Sequence, residues 1–363
     1  ATPLAAGSAT LVRQYCMDFL GMAQPSAALL KAALVGGARS LFPGQYGTNQ
    51  FLEIPELPRP NVVEGWGQVD VDGTLFTPPG FQAVLMEGPA PLSTGSSTSF
   101  VFSVHSNAPL VVAMAYSDYP SALSAGINLV NDLDLLLISP GGTRHYPNGL
   151  DRADTLNNVE GIDIASAQTG LWTLVVSARN VPQGPQPYAL YLRGALHMPV
   201  VIGHTPLPNT WITNQAYLVS ASLSTFGLLD TNTVFLHWNT TGSTNLFTTL
   251  PLQPAANDLF EAEIPMQPLG TRIHYYLSAY SPDLPARHPE GAPAELHSFE
   301  ITSPLALAVS GLPSNQFTVD PPYGVQWMAS NVLVRASTTY PLLGSNGWRT
   351  ACVGWQGGGS VPP

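Results

Sequence analysis

Positive charge is scarce in this chain of 363 residues. It carries 12 Lys and Arg against 23 Asp and Glu, a formal net charge of −11, and Lys31 is its single lysine. Proteins that bind nucleic acid neutralise several phosphates with Lys and Arg. The composition therefore excludes nucleic acid as an expected partner.

Cysteines and long apolar runs are also few. The two cysteines, Cys16 and Cys352, lie near opposite ends of the chain. This number excludes a disulfide framework or a thiolate metal site and favours two isolated buried thiols, although one long-range pairing stays open. No run approaches the roughly 18 apolar residues that a membrane-spanning helix needs, so we expect no membrane span.

Charged residues make up only 10% of the chain, whereas hydrophobic residues make up 45%, with 33 Gly and 35 Pro. The hydrophobic content is sufficient for packed cores, and the many turn residues favour strands over long helices. A chain of this length is expected to form about two to four domains. The composition thus predicts a mainly β multidomain protein.

Helical patterns occur only near the start of the sequence. Residues 4–20 are apolar nearly all round and predict a helix enclosed by neighbouring elements. Residues 25–34 predict a second helix that starts after Pro-Ser and stops at Gly36 and Gly37. A Gly- and Pro-rich stretch at residues 72–91 then marks a boundary.

Beyond that boundary, short apolar or alternating runs separated by turn residues are typical of β-sandwiches. The runs that predict strands are residues 99–105, 110–116, 133–138, 171–178, 188–192, 217–223, 234–238, 260–264 and 272–280.

The chain opens with Ala-Thr-Pro-Leu-Ala-Ala-Gly, in which Ala1, Thr2, Pro3 and Gly7 are the distinctive positions. This resembles the second half of the nucleophile motif of subtilisin-like serine proteases, Gly-Thr-Ser-Met-Ala-Thr-Pro-x-x-Ala-Gly. Residues 61–71, which contain Gly-Trp-Gly, are similar to the segment that closes the subtilase catalytic domain. The resemblance implies a nucleophilic serine two residues before Ala1, so no catalytic residue is assigned within this chain.

A second resemblance covers residues 128–160. Leu-Val-Asn-Asp-Leu-Asp-Leu at residues 129–135 resembles the C-terminal β-barrel domain that some secreted subtilases carry after the catalytic domain. Gly-Leu-Trp-Thr-Leu at residues 170–174 fits the same domain.

The same motif predicts a cation site. Asp132 and Asp134 alternate with leucines, so on a strand both carboxylates face one side. Calcium takes six to eight oxygen ligands, and neighbouring loops offer more of them. The predicted ligands are Asp118, Asp132, Asp134, Asn157, Asn158 and Glu160. The alternative is that the carboxylates only hydrogen-bond turn backbones or face solvent.

The eight histidines all follow the opening motif, whereas the subtilase triad runs Asp, His, Ser along the chain. None is therefore expected to be the family's general base. We expect this chain to have no peptidase activity by itself.

The sequence divides into four predicted parts: a remnant of a subtilase catalytic domain (residues 1–78), a jelly-roll-like β domain (79–195), an immunoglobulin- or fibronectin-like β-sandwich (196–302) and a partial small β repeat (303–363). The resemblance implies a fragment of a secreted bacterial serine endopeptidase, extracellular or on the cell surface. Its expected partners are a protein or peptide substrate and the upstream half of the catalytic domain. In a further hypothesis, the later β domains dock the substrate. The alternative is a noncatalytic surface or adhesion protein built of β modules.

Overall fold

The structure is a computed structural model. It describes residues 2–48, 52–56, 58–225, 233–256, 259–280, 284–310, 318–330 and 334–338, and the backbone of residues 342–343 and 349–350. In these ranges the chain forms three helices and 24 strands, which confirms the predicted mainly β fold. The chain separates into two compact units, the first mainly Ala1–Val201 and the second mainly Ile202–Leu223, Thr231–Ser278 and Arg287–Pro363. The finer four-part division stays a prediction.

The helices all lie in the first 75 residues: α1 at Thr2–Asp18, α2 at Ala27–Gly36 and α3 at Val71–Leu75. Both helices predicted from the sequence are present. Ser26 caps α2, because its side chain accepts a hydrogen bond from the backbone N–H of Leu29. The third helix is short, and Asp70 caps it in the same way through Gly73.

Nine strands complete the first unit. They are β1 Gln82–Glu87, β2 Ser97–Val104, β3 Leu110–Ala115, β4 Asp132–Ile138, β5 Arg144–His145, β6 Val159–Ile164, β7 Gly170–Asn180, β8 Ala189–Gly194 and β9 Leu196–His197. They form one sheet of order β1-β8-β3-β6 and a second of order β5-β4-β7-β2-β9. Neighbouring strands in these two sheets run antiparallel.

The core of the first unit lies between these two sheets. Every second residue of β4 is buried, including Leu133 and Leu135, and Trp172 of β7 packs in the same cluster. Residues from β1, β3 and β8 complete the cluster from the facing sheet. The sheets therefore form a sandwich, and the predicted period of two is confirmed in β4. The specific jelly-roll connection stays a prediction.

The helices cover the other side of the first sheet. Leu29 of α2 and Val12 of α1 share a second buried cluster with Ala113 of β3 and Tyr191 of β8. Residues 1–75 are thus not closed on themselves. Their apolar side chains are buried partly against the sheet that follows them in sequence.

The second unit is built of short strands. They are β10 Val200–Gly203, β11 Tyr217–Thr225, β12 Val234–Asn239, β13 Thr248–Pro251, β14 Gln253–Pro254, β15 Leu259–Ile264, β16 Arg272–Ala279, β17 Ala286–His288 and β18 His297–Glu300. One sheet has the order β10-β11-β15-β14, and the other has β13-β12-β16-β17 with β18 also paired to β16. Burial alternates along β15 and β16, as expected for strands with one face in a core.

Six more strands follow: β19 Pro304–Val309, β20 Val319–Asp320, β21 Gly324–Ala329, β22 Ser337–Thr338, β23 Leu342–Leu343 and β24 Arg349–Thr350. They pair two by two, β19 with β21, β20 with β22 and β23 with β24. The predicted partial small β repeat at residues 303–363 lies partly outside the described residues.

Candidate functional site

Helix α1, which carries the subtilase-like motif, is covered on one side only. Thr2 and Pro3 are exposed, and a Cβ added at Gly7 would have no atom within 4 Å. Leu4 is 79% exposed and Leu11 is 54% exposed. The sequence predicts a helix enclosed all round, whereas the residues that the structure describes leave one apolar face uncovered. Ala1 lies outside the described residues.

The covered side of α1 holds Val12 and Cys16, which are both fully buried. Burial raises the pKa of the Cys16 thiol, and the charge of Glu87 raises it further. The thiol is therefore protonated and behaves as a small apolar side chain. The prediction of an isolated buried thiol is confirmed for Cys16, whereas Cys352 lies outside the described residues.

The Gly-Trp-Gly segment forms a tight turn that places an indole on a strand. Gly65 and Gly67 have positive φ angles of 61° and 98°, a region that side chains other than glycine rarely enter. A Cβ at Gly67 would also overlap the carbonyl of Arg39. The ring of Trp66 lies where a Cβ on Gly161 of β6 would be, 2.5 Å from its nearest atom. The glycines of the turn thus allow its backbone conformation, and Gly161 leaves room on the strand for the indole of Trp66.

Four acidic residues gather where β4 and β6 meet the loop before β6. Glu160 is fully buried, and its Oε2 accepts a hydrogen bond of 2.7 Å from the N–H of Leu135. Its Oε1, and one oxygen each of Asp132 and Asp134, are buried without a hydrogen-bond partner among the residues that the structure describes. We call Asp132, Asp134, Asp154 and Glu160 the acidic cluster.

Burial and mutual repulsion act on these carboxyl groups. Burial raises the pKa of Asp132 to about 6, and the charge of Asp134 adds to the shift. Burial also raises the pKa of Asp134, and it raises that of Glu160 well above the ordinary value. The charge of Arg179 opposes the shifts of the two aspartates. At neutral pH the cluster must therefore take up protons, bind a cation or carry an electrostatic cost.

Asp154 belongs to the cluster although it was absent from the ligands predicted from the sequence. It is 2% exposed, and its charge raises the pKa of Asp132, Asp134 and Glu160. Its Oδ2 accepts hydrogen bonds from the side-chain amides of Asn148, at 2.6 Å, and Asn157, at 2.7 Å. Its Oδ1 accepts a hydrogen bond of 2.9 Å from the backbone N–H of Leu156, which forms an Asx turn, and an Asp in a polar loop favours such a turn.

Two other predicted ligands have different partners. Both oxygens of Asp118 accept hydrogen bonds from backbone N–H groups, Oδ2 from Val130 at 2.7 Å and Oδ1 from Asn131 at 2.8 Å. The amide of Asn158 donates to the carbonyl of Tyr116 at 3.0 Å. Asp118 therefore closes the loop before β4, and Asn158 ties the start of β6 to the end of β3.

The donor geometry of the acidic cluster is incomplete for a metal ion. In the described part of the chain, no three His, Cys, Asp or Glu side chains are grouped closely enough to hold one. Calcium accepts carbonyl, amide and water oxygens as well as carboxylates. A cation here would therefore need rotation of the carboxylates or such additional ligands.

A serine–histidine pair in the second unit does not reproduce a protease triad. His237 Nε2 lies 2.8 Å from Ser278 Oγ, and its Nδ1 lies 2.9 Å from Thr249 Oγ1. A triad needs a carboxylate at the second nitrogen to orient and stabilise the imidazolium. Burial, together with the charge of Arg287, lowers the pKa of His237. A neutral imidazole between two hydroxyls fits a structural hydrogen-bond bridge.

Known proteins with related sequences are large. The Dictyostelium discoideum serine protease/ABC transporter B family protein tagB is 29% identical over 248 residues, covering 53% of this chain and 13% of that protein. TagD of the same organism is 29% identical over 251 residues, covering 53% and 14%. TagA is 26% identical over 221 residues, covering 53% and 12%. The chain thus spans a small part of these relatives, and about half of it is related to proteins named as serine proteases.

Comparisons with family models and solved structures give no close match. No family model matches the chain. A Bacillus licheniformis lipase in its propeptide form aligns with a TM-score of 0.22 and 10% identity, covering 57% of this chain and 39% of the lipase. A Legionella pneumophila protein of the DUF4785 family aligns with a TM-score of 0.22 and 10% identity, covering 66% and 69%. In the described part of the chain, each helix is too short or too polar to cross a bilayer.

Proposed function

We propose that this chain is part of a secreted subtilisin-like serine endopeptidase. It would supply the rear of the catalytic domain and the β domains attached to it. The nucleophilic serine, the histidine base and the orienting aspartate would belong to parts of the polypeptide outside this chain, where they would cleave peptide bonds through an acyl-enzyme.

The observation that carries the proposal is the uncovered apolar face of α1. Leu4 and Leu11 are exposed on the helix whose sequence resembles the subtilase nucleophile motif. A contiguous exposed apolar face usually marks a surface that another element covers. The relatives support the same interpretation, since their names include serine protease.

The test uses the full polypeptide and this chain side by side. A fluorophosphonate probe labels a serine only when a base activates it. We expect labelling of the full polypeptide and none of this chain alone. In the full polypeptide, Leu11→Glu should reduce labelling at least about tenfold, because a charge would be buried against the catalytic domain.

The matched control is Arg13→Glu, at an exposed and already charged position of the same helix. It should leave labelling within about twofold of the unchanged polypeptide. A folded full polypeptide that takes no label would contradict the proposal and favour the noncatalytic adhesion protein instead.

We further propose that the acidic cluster binds calcium. Support comes from the fully buried Glu160 with its unpartnered Oε1, next to the unpartnered oxygens of Asp132 and Asp134. A divalent cation would stabilise the ionised carboxylates and so lower their raised pKa values. Binding would then stabilise the first unit directly.

Thermal unfolding of this chain with 1 mM calcium or with EDTA tests the site. With a dissociation constant of about 10 μM, calcium would add about 2.7 kcal/mol to the free energy of unfolding. Glu160→Gln should abolish this gain, whereas Asp151→Asn, which changes an exposed carboxylate, should keep it. Equal unfolding temperatures in calcium and in EDTA for the unchanged chain would rule the site out.

A further inference from the structure

Three histidines of the second unit lie against one another. His204 follows β10, His288 ends β17 and His297 begins β18. The ring centroid of His204 lies 5.8 Å from that of His288 and 5.4 Å from that of His297. The rings of His288 and His297 stack with their centroids 4.9 Å apart. We call these three residues the histidine cluster.

The hydrogen bonds of His204 define its neutral form. Its Nδ1 lies 2.7 Å from the carbonyl of Ser220, so Nδ1 carries the proton and donates. In the neutral ring, Nε2 then accepts from the hydroxyl of Tyr275 at 2.9 Å. The same hydroxyl oxygen accepts from the backbone N–H of Leu207, also at 2.9 Å. The neutral imidazole thus completes a chain of bonds from β11 through β16 to the segment after β10.

The other two rings can share only one proton between their facing nitrogens. His288 Nδ1 and His297 Nε2 are 2.8 Å apart, which requires one N–H donor and one lone pair. If both rings were protonated, two N–H groups would face each other at hydrogen-bond distance. Charging His204 as well would place a third cation beside them.

The surroundings do not stabilise positive charge. Burial lowers the pKa of His204, with the charge of His288 acting in the same direction and the Ser220 carbonyl opposing it. Burial, followed by the charges of His204 and His288, lowers the pKa of His297 to about 4. The adjacent elements carry the carboxylates of Glu261 of β15, which accepts from Ser220 Oγ, and of Glu290 and Glu295 in the turn between β17 and β18. None of these three acts on His204 or His297.

We propose that the histidine cluster and Tyr275 form an acid-sensitive clasp, which holds the segment after β10 to β16 at neutral pH and releases it when the pH falls. The segment from Gly203 to Leu207 also borders a groove of about 560 Å³ whose other side includes Leu218 and Ser220 of β11. Release would change the shape of that groove, so acid would act on a ligand-sized surface of the second unit.

Hydrogen exchange of the Leu207 amide measures the clasp directly. A histidine whose pKa is about 4 in the folded protein and 6.5 when exposed favours opening about 20-fold more at pH 5 than at pH 7. We therefore expect protection of Leu207, corrected for the intrinsic pH dependence of exchange, to fall about 20-fold between these values. Equal protection at pH 5 and pH 7 would overturn the proposal.

His297→Gln keeps a hydrogen-bonding side chain that cannot be charged. The pH dependence of its Leu207 protection should be smaller than that of the unchanged chain, and the remaining part should come from His204, whose pKa is also lowered. The control His274→Gln alters a histidine of β16 outside the cluster, whose pKa burial also lowers, and it should respond as the unchanged chain does. If His297→Gln does not fold, NMR titration of the three imidazoles in the unchanged chain decides: titration near pH 6.5 without loss of Leu207 protection would refute the clasp.

Discussion

Gly36 shows how one residue sets the distance between a helix and a sheet. A Cβ at this position would overlap the ring of Tyr191 and lie 3.1 Å from the Cβ of Ala113. The ring cannot move away easily, because the Tyr191 hydroxyl donates to the carbonyl of Thr74 at 2.9 Å. The absent side chain therefore allows α2 to pack directly on β8.

Gly36→Ala should lower the free energy of unfolding by about 1–3 kcal/mol, since overpacking outweighs the higher helix propensity of alanine. Gly7→Ala is the matched control, because Gly7 lies in α1 with open space around it. It should raise stability by about 0.5–1 kcal/mol. Urea unfolding followed by far-ultraviolet circular dichroism measures both changes, and a neutral Gly36→Ala would contradict the close packing of α2 on Tyr191.

Helix α2 is held at its start by two hydrogen bonds that Ser26 donates to the carboxylate of Glu87 of β1. Glu87 accepts from the N–H of Ser26 at 2.8 Å and from its hydroxyl at 3.0 Å. The same hydroxyl oxygen caps the helix by accepting from Leu29. Local capping and sheet attachment therefore depend on one serine.

Ser26→Ala should cost about 1–2 kcal/mol, since it removes the cap and leaves an oxygen of Glu87 without its partner. Ser8→Ala removes a hydroxyl that only bonds back to the carbonyl of Leu4 on the exposed side of α1. This control should change stability by less than about 0.5 kcal/mol. Chemical denaturation compares the two variants, and equal losses would show that Glu87 does not fix the helix.

The strands found from the sequence either are apolar and buried nearly throughout, as β3 and β8 are, or alternate with one buried face. β4, β7 and β11 have this alternation, and each is present within a few residues of its predicted bounds. β1 was not predicted because it lies inside the Gly- and Pro-rich stretch at residues 72–91. β6 was missed because Glu160, Gly161 and Asp163 interrupt its apolar pattern. Their roles depend on contacts far away in sequence, such as Trp66 over Gly161.

The acidic site was predictable in part for the same reason. Alternation alone places Asp132 and Asp134 on one face of a strand, and burial along β4 confirms this. Asp154 joins them only because the loop from Asn148 to Asn157 folds back through side-chain hydrogen bonds. Spacing along the chain does not encode such a closure.

The stability of the two compact units is expected to depend on pH in opposite directions. In the first, carboxyl groups with raised pKa values bind more protons when folded than when unfolded, so they add stability at low pH, and the contribution of Asp132 is lost as the pH rises through about 6. In the second, imidazoles with lowered pKa values bind fewer protons when folded. Their contribution is complete above about 6.5 and is lost as the pH falls toward the folded value.

Two backbone amides report these units separately in one experiment without calcium. Leu135 donates to Glu160 in the first unit, and Leu207 donates to Tyr275 in the second. From pH 5 to pH 7, we expect corrected protection of Leu135 to fall about tenfold from Asp132 alone, whose pKa rises from 3.8 to about 6. Protection of Leu207 should rise over the same range. Asp132→Asn should weaken only the first response, and His297→Gln only the second. If the protection of both amides changed in the same direction with pH, the two units would open in one cooperative transition. In that case neither cluster would set the stability of its own unit.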